Sequence, residues 1–349
     1  MTKKQLAKEY PPPGEAQAIK NLTERQIKKI INENPTGIMR RDAHTKMHGI
    51  VKAEFIVEPD LPEPLRVGLF KHPGTYQAWI RFSNQNLMEP DIKPDIRGMA
   101  IKVMGVPGPK LLPGETDSPN MDFVLISSSF FMARDVQEFD DLIKGLTGGP
   151  LALAWFFLTH WRMDWNLLKS MKRFANPLQV RYWSSTPYLL GKRAVKYSAI
   201  PYFDEPEPIP DHPDYNLLRL AMIKTLAERD VRFDFAVQFQ TDADAMPIED
   251  PGVQWSEVDS PFRKVASIKI PRQEFDSEKQ REFGENIAFN TARCLAEHKP
   301  LGGINRARMV VYQVISKFRH EKNNVPIQEP TSWDIESSPQ PTLYTEMTK

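Results

Sequence analysis

The sequence holds a single cysteine, Cys294, among 349 residues. No intrachain disulfide can form, and a thiolate metal cluster is excluded. An excess of one charge is missing too: 46 Lys and Arg against 45 Asp and Glu leave a formal net charge of +1. A dedicated nucleic-acid binder needs a basic excess to displace counterions, so no nucleic-acid partner is expected. Neither G-x-G-x-x-G nor G-x-x-x-x-G-K-[ST] occurs, which argues against a doubly wound nucleotide-binding sheet. No apolar run approaches the ~20 residues of a bilayer-spanning helix. The longest uncharged stretch of note, Gly148 to Leu158, has eleven. A run of that length ordinarily is a buried core helix; exposed, it would rest on a membrane surface or frame a substrate entrance. The amino terminus is polar with no apolar h-region, so the expected compartment is the cytoplasm.

Proline is what the chain has in excess, 31 of 349 residues, against a usual ~5%. It marks the ends and one internal loop, 201–213. Residues 1–20 carry Pro11-Pro12-Pro13 and many charges, and 324–349 are rich in Pro, Ser and Thr without apolar periodicity. Both read as tails flanking a single domain over 21–323. Inside it, Thr23-x-x-Gln26 suggests a capping box opening a helix with Ile27, Ile30 and Ile31 on one face. Short β-branched or aromatic runs then read as strands at 51–57, 77–83, 98–104 and 122–127. Helices are expected near 134–145, 150–174 and 214–229. Val231, Phe233, Phe235, Val237 and Phe239 give the clearest alternation, a further strand follows at 264–270, and the rest to Lys322 reads as helical. Strands grouped before and after helices predict an α+β fold with an antiparallel sheet. Seven or eight strands would suffice to close a β-barrel.

Three constellations carry candidate chemistry. On the last helix Arg308, Tyr312 and Arg319 fall within about 40° of one another at 100° per residue. Two guanidiniums flanking a phenol favour tyrosinate, although such a stripe is ordinarily a solvated helical face. Arg41-Asp-Ala-His44 precedes the first strand, with His48 one turn away as a competing proton shuttle. Arg81-Phe82-Ser83 and Asp95-Ile-Arg97-Gly98-Met-Ala-Ile-Lys102 sit on the next two strands.

Taken in order, R-x-x-H, RFS, D-x-R-G-x-A-x-K, FF-x-x-RD (Phe130 to Asp135) and R-x-x-x-Y-x-x-x-x-x-x-R resemble the haem catalase superfamily from about Arg41 to Arg319. The stretches NRARMVVYQVISKFRHEKN and YWSSTPYLLGKRAVKYSAIP are similar to the small catalase-related, core-only branch. The resemblance implies an antiparallel barrel core with haem b held between it and a C-terminal helix. Tyr312 would be the axial ligand of the iron, the ligand type general to catalases, with Arg308 holding it ionised. His44 would be the distal acid–base group and Ser83 the hydroxyl orienting its ring. Arg41, Arg81 and Arg319 would pair with the haem propionates, and Phe139 would lie against the distal face.

Two departures stand out. Full catalases place an asparagine beside the distal histidine, but Met121 to Asp135 contains none and offers Ser127-Ser128-Ser129 instead, with Ser127 as the stand-in. Where the family has a valine two residues past the serine of RFS, this chain has Gln85. The implied activity is reduction of organic, including lipid, hydroperoxides at the expense of a small electron donor. The alternatives are dismutation of hydrogen peroxide, an allene-oxide-synthase-like rearrangement of fatty-acid hydroperoxides, and a haem- or lipid-carrying barrel without catalysis. Peripheral membrane contact and a homodimer complete the expectations.

Overall fold

The computed structural model describes residues 4–85, 89–203 and 205–335. Its centre is a closed antiparallel barrel. Strands β1 (Met47–Val57), β2 (Gly74–Asn84), β3 (Arg97–Val103) and β4 (Met121–Ile126) form one half. Strands β5 (Tyr182–Trp183), β6 (Tyr188–Leu190), β7 (Arg193–Pro201), β8 (Val231–Phe239) and β9 (Arg263–Ile270) supply the rest. The hydrogen-bonded order β5-β4-β3-β2-β1-β9-β8-β7 is closed by β5 pairing with β7, giving eight strands, and β6 hangs from β7 as a hairpin. Closure removes the open sheet edges that would otherwise invite association.

Alternation decides which side chains fill the barrel. Phe55 of β1, Phe123 of β4, Tyr197 of β7 and Phe235 of β8 are buried and meet there. Phe123 and Phe235 stand edge to face at 4.8 Å, and Phe55 meets Phe235 at 5.1 Å. The buried imidazole of His298 accepts from the Leu69 amide at 3.0 Å and pairs with the Tyr197 hydroxyl at 2.9 Å, so this histidine belongs to the core.

Seven helices lie outside the barrel among the described residues: α1 (Glu15–Glu33), α2 (Val136–Thr147), α3 (Pro150–Thr159), α4 (Trp161–Ser170), α5 (Leu217–Glu228), α6 (Glu278–Asn286) and α7 (Gly303–Asn323). Helix α1 packs on α2 and α7. It begins at Glu15, so Thr23 and Gln26 lie within it and form no capping box. Thr23 Oγ1 donates back to the Ile19 carbonyl, and the buried stripe is Ala18, Leu22, Gln26 and Ile30, one residue per turn. The segment before α1 is tied down because Arg306 of α7 pairs with Glu9, Glu15 and Glu249. Downstream of α7, Glu329 pairs with Lys102 at 2.8 Å and the Trp333 indole donates to the Ala78 carbonyl at 3.1 Å, so the chain runs along the barrel wall; residues 336–349 lie outside the described residues.

Three expectations are corrected. The helix expected over 150–174 is two helices broken at His160, and of α3 only Phe156 is buried. The chain between α6 and α7 is irregular, because Asn290 and Arg293 turn inward onto Asp122. Strands β5, β6 and β7 went unread because β7 is buried on both faces, Lys196 and Ser198 included, which blurs its pattern.

Candidate active site

The outer face of β3 presents Gly98 and Ala100, and β4 presents Val124. Opposite them stands α7 with Val311, Tyr312, Ile315, Ser316 and Arg319, leaving a slot of about 850 Å³ with its mouth included. A second chamber, about 660 Å³ with its mouth included, is lined by Leu22, Ile126, Phe131, Met132, Phe139 and Arg308, among others. Gln26, Ala43, His44, Val311 and Tyr312 border both chambers. The small residues on β3 keep the slot open, and Gly98 is the tightest position. A Cβ there would stand 2.5 Å from Nδ1 of His44 and 2.8 Å from Oγ of Ser83.

His44 arrives on the irregular segment between α1 and β1. Its backbone is left-handed, φ 56°, a conformation that a non-glycine residue adopts only when its surroundings hold it. Its amide donates to the Gln85 carbonyl at 3.2 Å and its carbonyl accepts from the Arg81 guanidinium at 2.8 Å. Two residues earlier, Asp42 accepts from Gln26 at 2.9 Å and from Lys29 at 2.8 Å, fastening the segment to α1. The residue is half-buried, but its Nδ1 is shielded from solvent and has no hydrogen-bond partner: the Ser83 hydroxyl stands beside the ring without bonding it. Desolvation, with Arg81, Arg308 and Arg41 adding positive charge, pushes the ring down to about 3, so it is neutral at ordinary pH. His48 does not line the cavity; it is buried against Asn84 at 2.7 Å.

Arg41, Arg81 and Arg319 converge at one end of the slot. Arg81 donates to the carbonyls of Gly284 at 3.0 Å and of His44. Arg41 donates to those of Glu285 at 2.9 Å and Ile287, while its Nε has no partner. Arg319 pairs with Glu285 at 2.8 Å, the one carboxylate of the cluster. Burial lowers all three guanidiniums, and Arg41 lowers both Arg81 and Arg319 further, Arg319 to about 10. Arginine stays charged regardless. Three cations, Arg81 and Arg319 buried and Arg41 half-buried, over one carboxylate leave a demand for about two more negative charges.

At the other wall Tyr312 is partly buried, and Arg308 lies one turn before it on α7. Arg308 donates to Thr186 at 3.2 Å and stands 5.0 Å over the Phe131 ring. Phe139 meets Phe131 edge to face at 5.6 Å in the second chamber. The structure therefore gathers Arg41, Arg81, Ser83 and Arg319 around the slot and Phe139 and Arg308 around the second chamber, with His44 and Tyr312 bordering both. Ser127 is elsewhere. Its hydroxyl accepts from the Arg97 amide at 2.9 Å, tying β3 to the end of β4, and it is Ile126 that lines the chamber.

Neither a family model nor a curated protein sequence matches the chain. Solved structures do. A fungal catalase superposes with a TM-score of 0.65 at 16% identity, covering 91% of this chain and 66% of its own. Catalase A from Saccharomyces cerevisiae gives 0.65 at 18%, with 91% and 67% covered, and a bacterial catalase 0.60 at 18%, with 93% and 67%. This is the catalase fold. The chain spans about two thirds of the length of those catalases.

Within the catalase fold, the residues present fit a haem on three observations. The β3 face is small enough for a flat macrocycle. The arginine cluster lacks the charge that two propionates carry. The phenol that could ligate iron stands on the opposite wall beside a guanidinium. No group of three or more His, Cys, Asp or Glu side chains able to hold a bare metal ion occurs among the described residues. Sequence reading missed Gln26, whose amide oxygen is buried without a partner at the cavity wall, and Ile126. The four-residue stripe of α1, in which Gln26 takes an apolar position, was the signal for the first. Nothing local singled out the second.

Proposed function

We propose that the protein is a haem-dependent peroxidase of the core-only kind that reduces organic, including lipid, hydroperoxides with a small electron donor. Haem b bound in the slot would supply the redox chemistry, taking up the oxidising equivalents of the O–O bond and passing them to the donor. Tyr312 would ligate its iron, with Arg308 one turn earlier on α7. Arg41, Arg81 and Arg319 would receive the propionates, gaining the counter-charge they lack.

The protein's own contribution to bond cleavage is proton movement. His44 is neutral because burial and three neighbouring guanidiniums resist its protonation, so it can take the hydroperoxide proton and return it to the leaving oxygen. Positioned proton transfer of this kind is worth ~10²–10⁴ in rate. The ring is set by Gly98 below it and by the Arg81 and Gln85 bonds to its backbone.

The observation that carries the choice of substrate is the second chamber. Leu22, Ile126, Phe131, Met132 and Phe139 make most of its wall, Gln26, Gln85 and Arg308 are its polar lining beside His44 and Tyr312, and the stretch where a full catalase supplies an amide presents an isoleucine. The apolar part of the wall suits the carbon chain of an organic hydroperoxide. The test gives haem-loaded protein hydrogen peroxide, cumene hydroperoxide and a fatty-acid hydroperoxide separately, with a phenolic donor. Donor oxidation driven by the organic hydroperoxides is expected. Oxygen evolution from hydrogen peroxide far above donor oxidation would make it a catalase. Rearranged lipid without donor consumption would make it a hydroperoxide isomerase or dehydratase.

A further inference from the structure

The hairpin α3–α4 is unlike the rest of the surface. Leu151, Trp155, Leu158, Trp161, Trp165 and Leu168 are exposed, Leu151 by 88% and Trp161 by 75%, while Phe156 and Met163 alone of its large apolar side chains are buried. Singly exposed apolar residues are ordinary, but seven within eighteen positions, Phe157 included, make a patch that marks an interaction site. From these features we infer that the hairpin docks on the surface of an anionic lipid bilayer.

Shape and charge both select that occupant. A helix that binds a protein groove offers one apolar stripe, whereas α3 runs Pro-Leu-Ala-Leu-Ala-Trp-Phe-Phe-Leu-Thr, apolar around nearly its whole circumference. Ten residues make about 15 Å of helix, half of a ~30 Å hydrocarbon core, so α3 cannot cross but can lie in the headgroup and acyl boundary. Tryptophan is the side chain enriched at that depth. From Gly148 to Arg173 the only acidic residue is Asp164, against Lys169, Lys172, Arg173 and Arg162, the last paired with Asp250 at 2.8 Å. Lys169, Lys172 and Arg173 are exposed, and Lys169 stands 4.9 Å over the Trp165 ring. A chain balanced overall thus concentrates cation beside its apolar patch, where each Lys or Arg near an anionic surface adds to the attraction.

The hairpin also abuts the cavity. Phe156 packs against Gly145 of α2, the helix that carries Phe139 into the second chamber, and Met163 and Phe156 share one apolar cluster with Phe131 and Met132 of that chamber's wall. A lipid hydroperoxide in the bilayer would therefore reach the chamber from the docked side. This last step rests on the proposed function; the docking does not.

The test uses haem-loaded full-length protein and vesicles of phosphatidylcholine with or without phosphatidylglycerol. Co-sedimentation with the anionic vesicles, weakening as salt rises, is expected, with tryptophan emission shifted to the blue. Leu151→Ser and Trp155→Ser should each weaken it about 10-fold or more, the order set by one large apolar side chain no longer buried. Both side chains are exposed, so turnover of water-soluble cumene hydroperoxide should hold while turnover of vesicle-embedded phospholipid hydroperoxide falls. No vesicle binding, or unchanged binding by both variants, overturns the inference. So does a concentration-dependent dimer that Leu151→Ser dissolves, which would assign the patch to a second copy. Failure to bind vesicles leaves the cumene hydroperoxide activity to be judged separately, and inactivity on every hydroperoxide leaves vesicle binding to be judged alone.

Discussion

Gly98 and His44 are matched in shape: a Cβ on Gly98 would stand 2.5 Å from the Nδ1 of His44, well inside van der Waals contact. The imidazole therefore has its position only because β3 carries no side chain beneath it. Gly98→Ala should leave the barrel folded but displace the ring. Misplacement of a reacting group by about an ångström costs ~10²-fold in rate, and stopped-flow reaction with cumene hydroperoxide would read that loss. His44→Ala should lose ~10²–10⁴. His48→Ala should instead lower stability, since its ring is buried against Asn84. Chemistry lost with His48 and kept without His44 would reverse the assignment.

Ile126 and Ser127 are neighbours with different surroundings, one lining the chamber and the other bonded to the Arg97 amide. Ile126→Asn should raise oxygen evolution from hydrogen peroxide relative to donor oxidation. Ser127→Asn should leave that ratio alone and lower stability by about 1–3 kcal/mol through the lost buried hydrogen bond. An electrode trace and a denaturant titration on both variants distinguish the two effects; a ratio that moves only with Ser127 would contradict this placement.

The acid side of the stability curve should be steep. His44, His48 and His298 are pushed by burial from 6.5 down to about 3. A folded value below the unfolded one means that the unfolded chain binds more protons between them. Stability is then full above about pH 6.5 and falls as pH drops toward 3. Unfolding of the apoprotein near pH 5 should take up close to three protons from these rings, and the urea midpoint should fall accordingly. Reactivity with hydroperoxide should show no ionisation near pH 6.5 while the protein stays folded. A midpoint independent of pH between 7 and 5 would contradict the burial of these rings.

The repeating parts of the fold were legible in the sequence and the crossings were not. Val231, Phe233 and Phe235 are buried and alternate with exposed Arg232 and partly exposed Asp234 at one end of β8, so that strand declares itself. β7 hides because Lys196 and Ser198 are as buried as Tyr197. At the site, spacing placed Arg308, Tyr312 and Arg319 on one helical face, and the motif order suggested which strand and loop residues would join them. Glu285 could not be found that way, because it matters through a partner far along the chain, Arg319. Gln26 was marked only by its apolar position in the buried stripe of α1. The hairpin misled for a different reason: an apolar run gives length and hydrophobicity, and neither says whether protein covers it.

Glu285 offers a test of the arginine cluster. As its one carboxylate, it pairs with Arg319 and lies near Arg81. Glu285→Gln should destabilise the apoprotein by about 1.5–3 kcal/mol, the worth of a hydrogen bond to a charged group. Haem should restore much of that, because its propionates bring the missing charge. The gap in thermal midpoint between apo and haem-loaded forms should therefore widen relative to the unaltered protein; an unchanged gap would argue that no anion is received there.

The central claim is that the slot between β3 and α7 holds a haem on Tyr312. Titrating haem into purified apoprotein while following the Soret band tests it most directly, with Tyr312→Phe in parallel. The account predicts saturation at one haem per chain with the spectrum of a phenolate-ligated ferric iron, and loss or gross change of that band in the variant, whose ring cannot ligate a metal. A protein that takes up no haem, or a Tyr312→Phe variant with the same band and the same stoichiometry, would contradict it.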